Sequence, residues 1–381
     1  MALKIEKTKN GFIASDDSTV QSLLKGFFGE PIQGKKNKLF LSPEEGLYLM
    51  EVRNAECNGQ TFNEAAKEFS EQKKFLASYY CYKEWRDHGI IARQAREAKQ
   101  NYGRNPLVKY PSEKLKLKPI HFKALFFTDD LMAVIDDPQA KELYDKYWLG
   151  QWGTYKAKKH GNFLKLDVFE TLFLIKHAGL NANITTQQLE KKATARRSDF
   201  KKLFQVYEDF RLKGFVVKTG FKFGTHFRLY FPGAAPSLEN SEWLHSKHVI
   251  QVFPRESKLL ISEWARAIRV AHSVKKTFIL AIPGKKEAEK IELDYLLYHR
   301  KDGIPENPEK NFPTYAMLAL SEEEEIGGAE LAKAIEKSKK LGLDLMLAIC
   351  DRETSVTFYR VKRIELPESK FEYYEIEWEQ P

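Results

Sequence analysis

Three segments between residues 220 and 283 decide the reading of this chain: GFKFGTHFRLYFPG (220–233), HSKHVIQVFP (245–254) and SEWARAIRVAHSVKKTFILAIP (262–283). FKFGTHFRLY alternates large with small or polar residues, as a strand does, and HSKHVIQVF follows as a second strand-like run. In the third segment Trp264, Ala267, Ile268, Ala271 and Val274 recur at helical spacing, with Ser262 placed to cap the helix N-terminus. TFILAI is a short apolar strand. Arg269 and Lys276 lie seven residues apart, which predicts a shared, positively charged helix face.

Taken singly, Tyr230 reads as a strand aromatic, His245 as a surface or capping histidine, and Lys276 as one more solvated lysine. Their joint occurrence reads differently. GFKFGTHFRLY, HSKHVIQVFP and RVAHSVKK together resemble, in order, the catalytic domain of the archaeal-type tRNA-splicing (tRNA-intron) endonucleases. The resemblance implies a catalytic triad of Tyr230, His245 and Lys276. The segment between Tyr230 and His245 is a few residues longer than the family pattern. The chemistry is consistent with the residue types. RNA carries its own nucleophile, the 2′-hydroxyl, so an enzyme needs a base, an acid for the leaving 5′-oxygen and a positive charge for the phosphorane. Histidine, with an ordinary pKa near 6.5, suits the acid role, and lysine supplies the charge. Tyrosine suits the base role once neighbouring cations favour its ionised form, and Arg228, Lys275 and Lys276 are candidates for that. The products would be a 2′,3′-cyclic phosphate and a 5′-hydroxyl, the outcome of a tRNA-intron lyase. No cofactor and no metal is expected: the nine histidines and three cysteines form no Cys-x-x-Cys or His-Glu-x-x-His pattern. His272 reads as structural or substrate-adjacent.

The chain has 381 residues, more than one ordinary domain. A net charge of +9 fits a polyanionic partner, while 53 acidic residues make the surface mixed rather than uniformly basic. Cys57, Cys81 and Cys350 are too few and scattered for a disulfide framework, which points to a reducing interior. No long apolar run and no N-terminal signal region is evident, so a soluble, cytoplasmic protein without membrane association is expected.

Two internal repeats organise the rest. An offset of 125 maps Leu41 to Leu166, Glu45 to Glu170, Tyr82 to Tyr207, Arg86 to Arg211 and Gly89 to Gly214. Matching Tyr, Arg and Gly at one offset is the mark of a duplication. An offset of 67 maps Ala267 to Ala334, Ile268 to Ile335 and Ala281 to Ala348, but His245 to Phe312, Arg269 to Glu336 and Lys276 to Leu343. The expected fold is therefore α+β and built of repeated small α/β units. Two are N-type helix-plus-strand domains, and two are C-type, nuclease-like domains of mixed sheet plus helix, one of them catalytic. The expected order is an N-type copy (1–100), a linker (101–119), the N-type domain of the catalytic unit (120–219), the catalytic C-type domain (220–300), a linker (301–311) and an inactive C-type copy (312–381). The linkers are read from polar, proline-broken stretches.

The resemblance is to a fused three-unit form of the family acting as a homodimer, with precursor tRNA and its bulge-helix-bulge element as partner. Unstacked bulge bases are the part of an RNA that proteins read most readily. It implies that Arg269, and by extension Arg300, hold a bulged base, with Lys275 nearby. The run Glu322, Glu323, Glu324 and Glu325 maps by the 67 offset onto the loop after HSKHVIQVFP and is expected at the dimer interface. Lys156, Lys158 and Lys159, on a loop longer than the family pattern, are expected to contact phosphate and widen the range of bulges accepted. The competing reading is a structural RNA-binding subunit that needs an active partner. The presence of all three triad residues argues against it.

Overall fold

The computed structural model describes residues 2–35, 37–98, 100–103, 107–154, 161–236, 244–287 and 290–381. Helix Pro43–Arg53 starts on Ser42, whose side chain accepts from Glu45 N while the Glu45 carboxylate accepts from Ser42 N. Pro43 occupies a first-turn position whose N–H has no helical partner in any case. Helix Val168–Ala178 repeats this 125 residues later, with Asp167 and Glu170 in the reciprocal roles. Helix Phe75–Asp87 recurs as Phe200–Leu212 at the same offset.

Each set of helices accompanies a five-stranded sheet. The first runs in the order Glu30–Pro31, Leu39–Leu41, Gly11–Ala14, Lys4–Thr8, Glu56–Cys57. The second runs Gln151–Trp152, Leu164–Leu166, Met132–Ile135, Lys123–Phe127, Asn181–Ala182, the same topology. In both, only the last pair is parallel.

An 11-stranded sheet joins most of the remaining strands. Its path is Val216–Thr219, Phe227–Tyr230, His248–Val252, Thr277–Ala281, Tyr373–Glu379, Val356–Glu365, Asp344–Cys350, Tyr315–Ser321, Tyr295–Leu297, Ala92–Gln94, with Leu107–Lys109 beside Val356–Glu365. Successive residues of its central strands serve different cores, as the two-residue period requires. Ile250, Val252, Ile279 and Ala281 pack with the second five-stranded unit, and Met317, Ala319, Met346 and Ala348 with the first. Val249, Phe278, Leu280, Leu318, Leu345 and Leu347 face a third core shared with helices Ile261–Ser273 and Gly328–Lys340. Those helices are 67 residues apart. Strands Lys258–Leu260 and Glu325–Gly327 pair with each other across the junction, with Leu259 opposite Ile326, also 67 apart.

Several sequence expectations change. Helix Ile261–Ser273 starts one residue before Ser262, with Leu260 as the N-cap position and no side-chain cap bond. It ends at Ser273, so Lys276 is not on the helix and shares no helix face with Arg269. Val274 and Lys275 (φ +54°) turn the chain into the next strand before the helix can reach Lys276. Residues 295–297, grouped with the catalytic unit from sequence, pair with Tyr315–Ser321 and Ala92–Gln94 instead. Both stretches read as linkers carry structure. Leu107–Lys109 pairs with Val356–Glu365, and Glu113 N and Leu115 N donate to Lys213 O and Leu212 O. Arg300–Lys301 and Ile304–Pro305 form a small hairpin. Among the described residues, no helix is long and apolar enough to cross a membrane.

Candidate active site

The register of three neighbouring strands assembles one end of the large sheet. Leu229 lies opposite His248, and His248 lies opposite Thr277. Tyr230, one residue past Leu229, and Lys276, one residue before Thr277, are thereby carried to the same end. His245 sits three residues ahead of His248, where the chain enters its strand.

Lys276 is buried, and its Nζ donates to the backbone carbonyl of Ser246 and, at 3.2 Å, to Ser246 Oγ. Ser246 directly follows His245, so this ammonium holds the backbone that presents the histidine. The ammonium also stands 4.6 Å from the centroid of the Phe223 ring, a cation–π position. Burial lowers the Lys276 pKa, and the positive charge of Arg228 lowers it further. Arg228 is anchored by Nε donation to Thr219 O at 2.8 Å, and its Nη1 donates to the Tyr230 hydroxyl at 3.4 Å. Among the described residues, neither Arg228 nor Lys276 forms a salt bridge. Two neighbouring cations with no salt bridge to a carboxylate among the described residues favour an anion between them. The Tyr230 ring is 5% exposed and packs on Trp148, with centroids 4.7 Å apart.

The nearby histidines separate by environment. His245 is exposed. His226 and His248 are both held down to about 4, first by burial, then by a nearby positive charge, from Arg197 and Lys247 respectively. His226 Nδ1 accepts from Val252 N at 2.9 Å, and His248 stacks on Phe231 at 4.7 Å. Both are neutral packing groups at pH 7. The His272 Nε2 lies 3.1 Å from Ile376 O, a structural contact. Among the described residues, no group of three or more His, Cys, Asp or Glu side chains could hold a metal ion.

Other expected residues scatter. Arg269 is exposed on its helix, and Lys275 is exposed at the turn that follows. Arg300 donates to His88 O on the far half of the molecule. The strand that precedes its hairpin, Tyr295–Leu297, is separated from Phe227–Tyr230 by six strands along the sheet. The glutamate run meets the catalytic half within the chain: Glu324 O accepts from Ile261 N at 2.9 Å and Glu322 O from Ser262 N at 3.2 Å. Glu322 and Glu323 pair with Arg352, Glu324 accepts from Ser321 N at 3.1 Å, and Glu325 lies opposite Leu260. Lys156, Lys158 and Lys159 lie outside the described residues, as do residues 237–243 of the segment between Tyr230 and His245.

Sequence reasoning missed Ser246, Phe223 and Trp148. Ser246 and Phe223 lie inside the quoted segments and could have been marked as neighbours. Trp148 comes from 82 residues before Tyr230, and no local pattern announces it.

Known proteins similar to this chain are tRNA-splicing endonucleases. The family described as tRNA intron endonuclease, catalytic C-terminal domain, matches residues 200–293. The one described as tRNA intron endonuclease, N-terminal domain, matches residues 8–54. The tRNA-splicing endonuclease of Methanopyrus kandleri is 33% identical over 153 residues, covering 39% of this chain and 80% of the relative. That of Hyperthermus butylicus is 30% identical over 164 residues, 41% of this chain and 87% of the relative. That of Methanococcoides burtonii is 32% identical over 162 residues, 41% of this chain but only 43% of the relative.

Proposed function

The chain belongs to the tRNA-splicing endonuclease family, and on that premise we propose that it cuts precursor tRNA at both ends of an intron. The observation that carries the proposal is the pair of cations Arg228 and Lys276, one hydrogen-bonded to Tyr230 and the other to the residue after His245. Tyr230 acts as base on the 2′-hydroxyl, with Arg228 favouring its ionised form. The hydroxyl oxygen then attacks the adjacent phosphorus. Lys276 stabilises the charge that develops on the non-bridging oxygens. His245, exposed where the chain enters its strand, gives its proton to the leaving 5′-oxygen. The bond to that oxygen breaks as the 2′,3′-cyclic phosphate closes. Every group this route requires is a side chain of the protein or an atom of the RNA, so the reaction needs no metal.

The unit assignment is part of the same proposal. Two N-type units and two C-type units would make up the chain, with the second C-type unit catalytically silent because Phe312 and Leu343 stand where the first has His245 and Lys276. Two chains would then supply two active sites for the two cuts. Glu323 and Glu325, exposed beside the catalytic half, are available to a second chain. Arg269, Lys275 and the lysines at 156, 158 and 159 are the proposed RNA contacts, and Arg300 is a more distant one.

The test is incubation of the purified chain alone with an intron-bearing precursor tRNA in EDTA, with mapping of the new ends. Expected are two cuts with cyclic-phosphate and 5′-hydroxyl termini. His245→Ala should be slower by ~100-fold or more while still folding. Loss of wild-type cleavage in EDTA, or full activity of His245→Ala, would refute the mechanism. Sedimentation of wild type against a variant with all four glutamates changed to glutamine tests the dimer, and an unchanged dimer would remove these residues from the interface.

A further inference from the structure

The residue that touches Tyr230 from the other side of the core is Trp148, which closes helix Lys141–Tyr147. It is 9% exposed and has φ +47°, a left-handed backbone that bulky residues rarely adopt. A strained position persists only where its surroundings hold it, and here they do. Buried Arg211 donates to Tyr147 O at 2.9 Å, just before the tryptophan. Just after it, Gly150 N donates to Glu170 Oε1 at 2.9 Å, and Lys218 Nζ donates to Gly150 O at 2.8 Å and to Glu170 Oε1 at 2.6 Å. Lys218 lies opposite Arg228 in the sheet, and Val216 lies opposite Tyr230. One clamp thus ties the tryptophan turn to the strand beside the tyrosine.

The first unit provides an internal control. Phe27, 121 residues before Trp148, also has a left-handed backbone, φ +57°. Its turn is clamped in the same way: Arg86 donates to Gly26 O, Gly29 N donates to Glu45, and Arg93 donates to Phe27 O and Gly29 O. The clamp is therefore common architecture. What differs is the residue to be positioned. Leu297, which has no hydroxyl to aim, stands 67 residues after Tyr230.

We infer that Trp148 is a positioning residue for Tyr230, fixing the phenol against Arg228 so that its oxygen meets the 2′-hydroxyl. The unit before the catalytic stretch then contributes to the reaction rather than only to folding. This inference rests on the proposed role of Tyr230. Misplacing a reacting group by about 1 Å can cost ~100-fold in rate, so loss of the ring contact should lower the chemical step and leave RNA affinity alone.

The experiment measures single-turnover rates and RNA dissociation constants for Trp148→Leu, Trp148→Phe, Tyr230→Phe and the double variant Trp148→Leu/Tyr230→Phe, with a thermal melt of each. Expected is a loss of ~10-fold or more for Trp148→Leu at unchanged affinity, a loss within ~3-fold for Trp148→Phe, and no further loss when Trp148→Leu is added to Tyr230→Phe. A general loss of folding would slow both backgrounds equally, so equal loss in the two backgrounds overturns the inference. So does Trp148→Leu at the wild-type rate. Tyr230→Phe cleaving as fast as wild type is a different failure: it overturns the proposed role of Tyr230, and this inference with it.

Discussion

Lys276 carries a positive charge where water is scarce, and that costs it part of its proton affinity. Its pKa is lowered by burial and then by Arg228. An ordinary lysine loses its proton near 10.4. A lowered value means that Lys276 becomes neutral at a lower pH than an ordinary lysine. If that charge stabilises the phosphorane, cleavage must fall as pH rises through the lowered value. The expected result is an alkaline limb in kcat/KM below the ordinary lysine range. It should be absent from Lys276→Ala, which should also be slower by about 100-fold. A wild-type profile flat to pH 10 would show that the lysine's charge is not used. On the acid side, His226 and His248 are unprotonated down to about pH 4, so neither serves as a proton donor near neutral pH.

At the level of elements, the two five-stranded units solve one packing problem twice with different residues. In the first, helix Pro43–Arg53 presents Gly46 to the fully buried Phe12, and a Cβ on Gly46 would lie 2.0 Å from Phe12 Cδ2. In the second unit the equivalent positions hold Thr171 and Ala133, a larger helix residue with a smaller strand residue. Gly46→Ala should gain about 1 kcal/mol in helix propensity. It should lose more than that to overpacking, which typically costs about 1–3 kcal/mol, because the ring has nowhere to move. Net destabilisation in urea unfolding is expected, and Phe12→Ala added to Gly46→Thr should recover part of it. Gly46→Ala as stable as wild type would mean that the helix shifts freely on its sheet.

Across the whole molecule, the last strand is bound to the middle of the chain. The last strand, Tyr373–Glu379, lies between Thr277–Ala281 and Val356–Glu365 and so bridges the two halves of the large sheet. Its Tyr373 hydroxyl donates to Asp209 at 2.7 Å, and its Glu375 accepts from Tyr110 at 2.6 Å, within a stretch that sequence marks as linker. Removing residues 373–381 would expose Phe278, Ile279 and Leu280 along a bare strand edge. The truncated chain should melt at a lower temperature, in more than one step, and lose cleavage activity, although Tyr230, His245 and Lys276 are untouched. A truncated chain that melts and cleaves like the full one would show that the halves fold independently.

The sequence by itself determined the features that short-range chemistry encodes. The capping pairs Ser42/Glu45 and Asp167/Glu170 start their helices, and the 125-residue repeat returns helices at matching positions. The words around Tyr230, His245 and Lys276 carry the family. Each depends on residues a few positions apart or on direct self-comparison. Only the tertiary structure decided what depends on strand pairing between distant segments. It took Lys276 off the helix and buried it against Ser246, moved residues 295–297 to the far half of the sheet, and pinned the stretches read as linkers. It also brought Trp148 onto Tyr230. Strand order and the approach of two units are set by how apolar faces close over one another. That is a property of the whole packed chain, which spacing within a segment does not record.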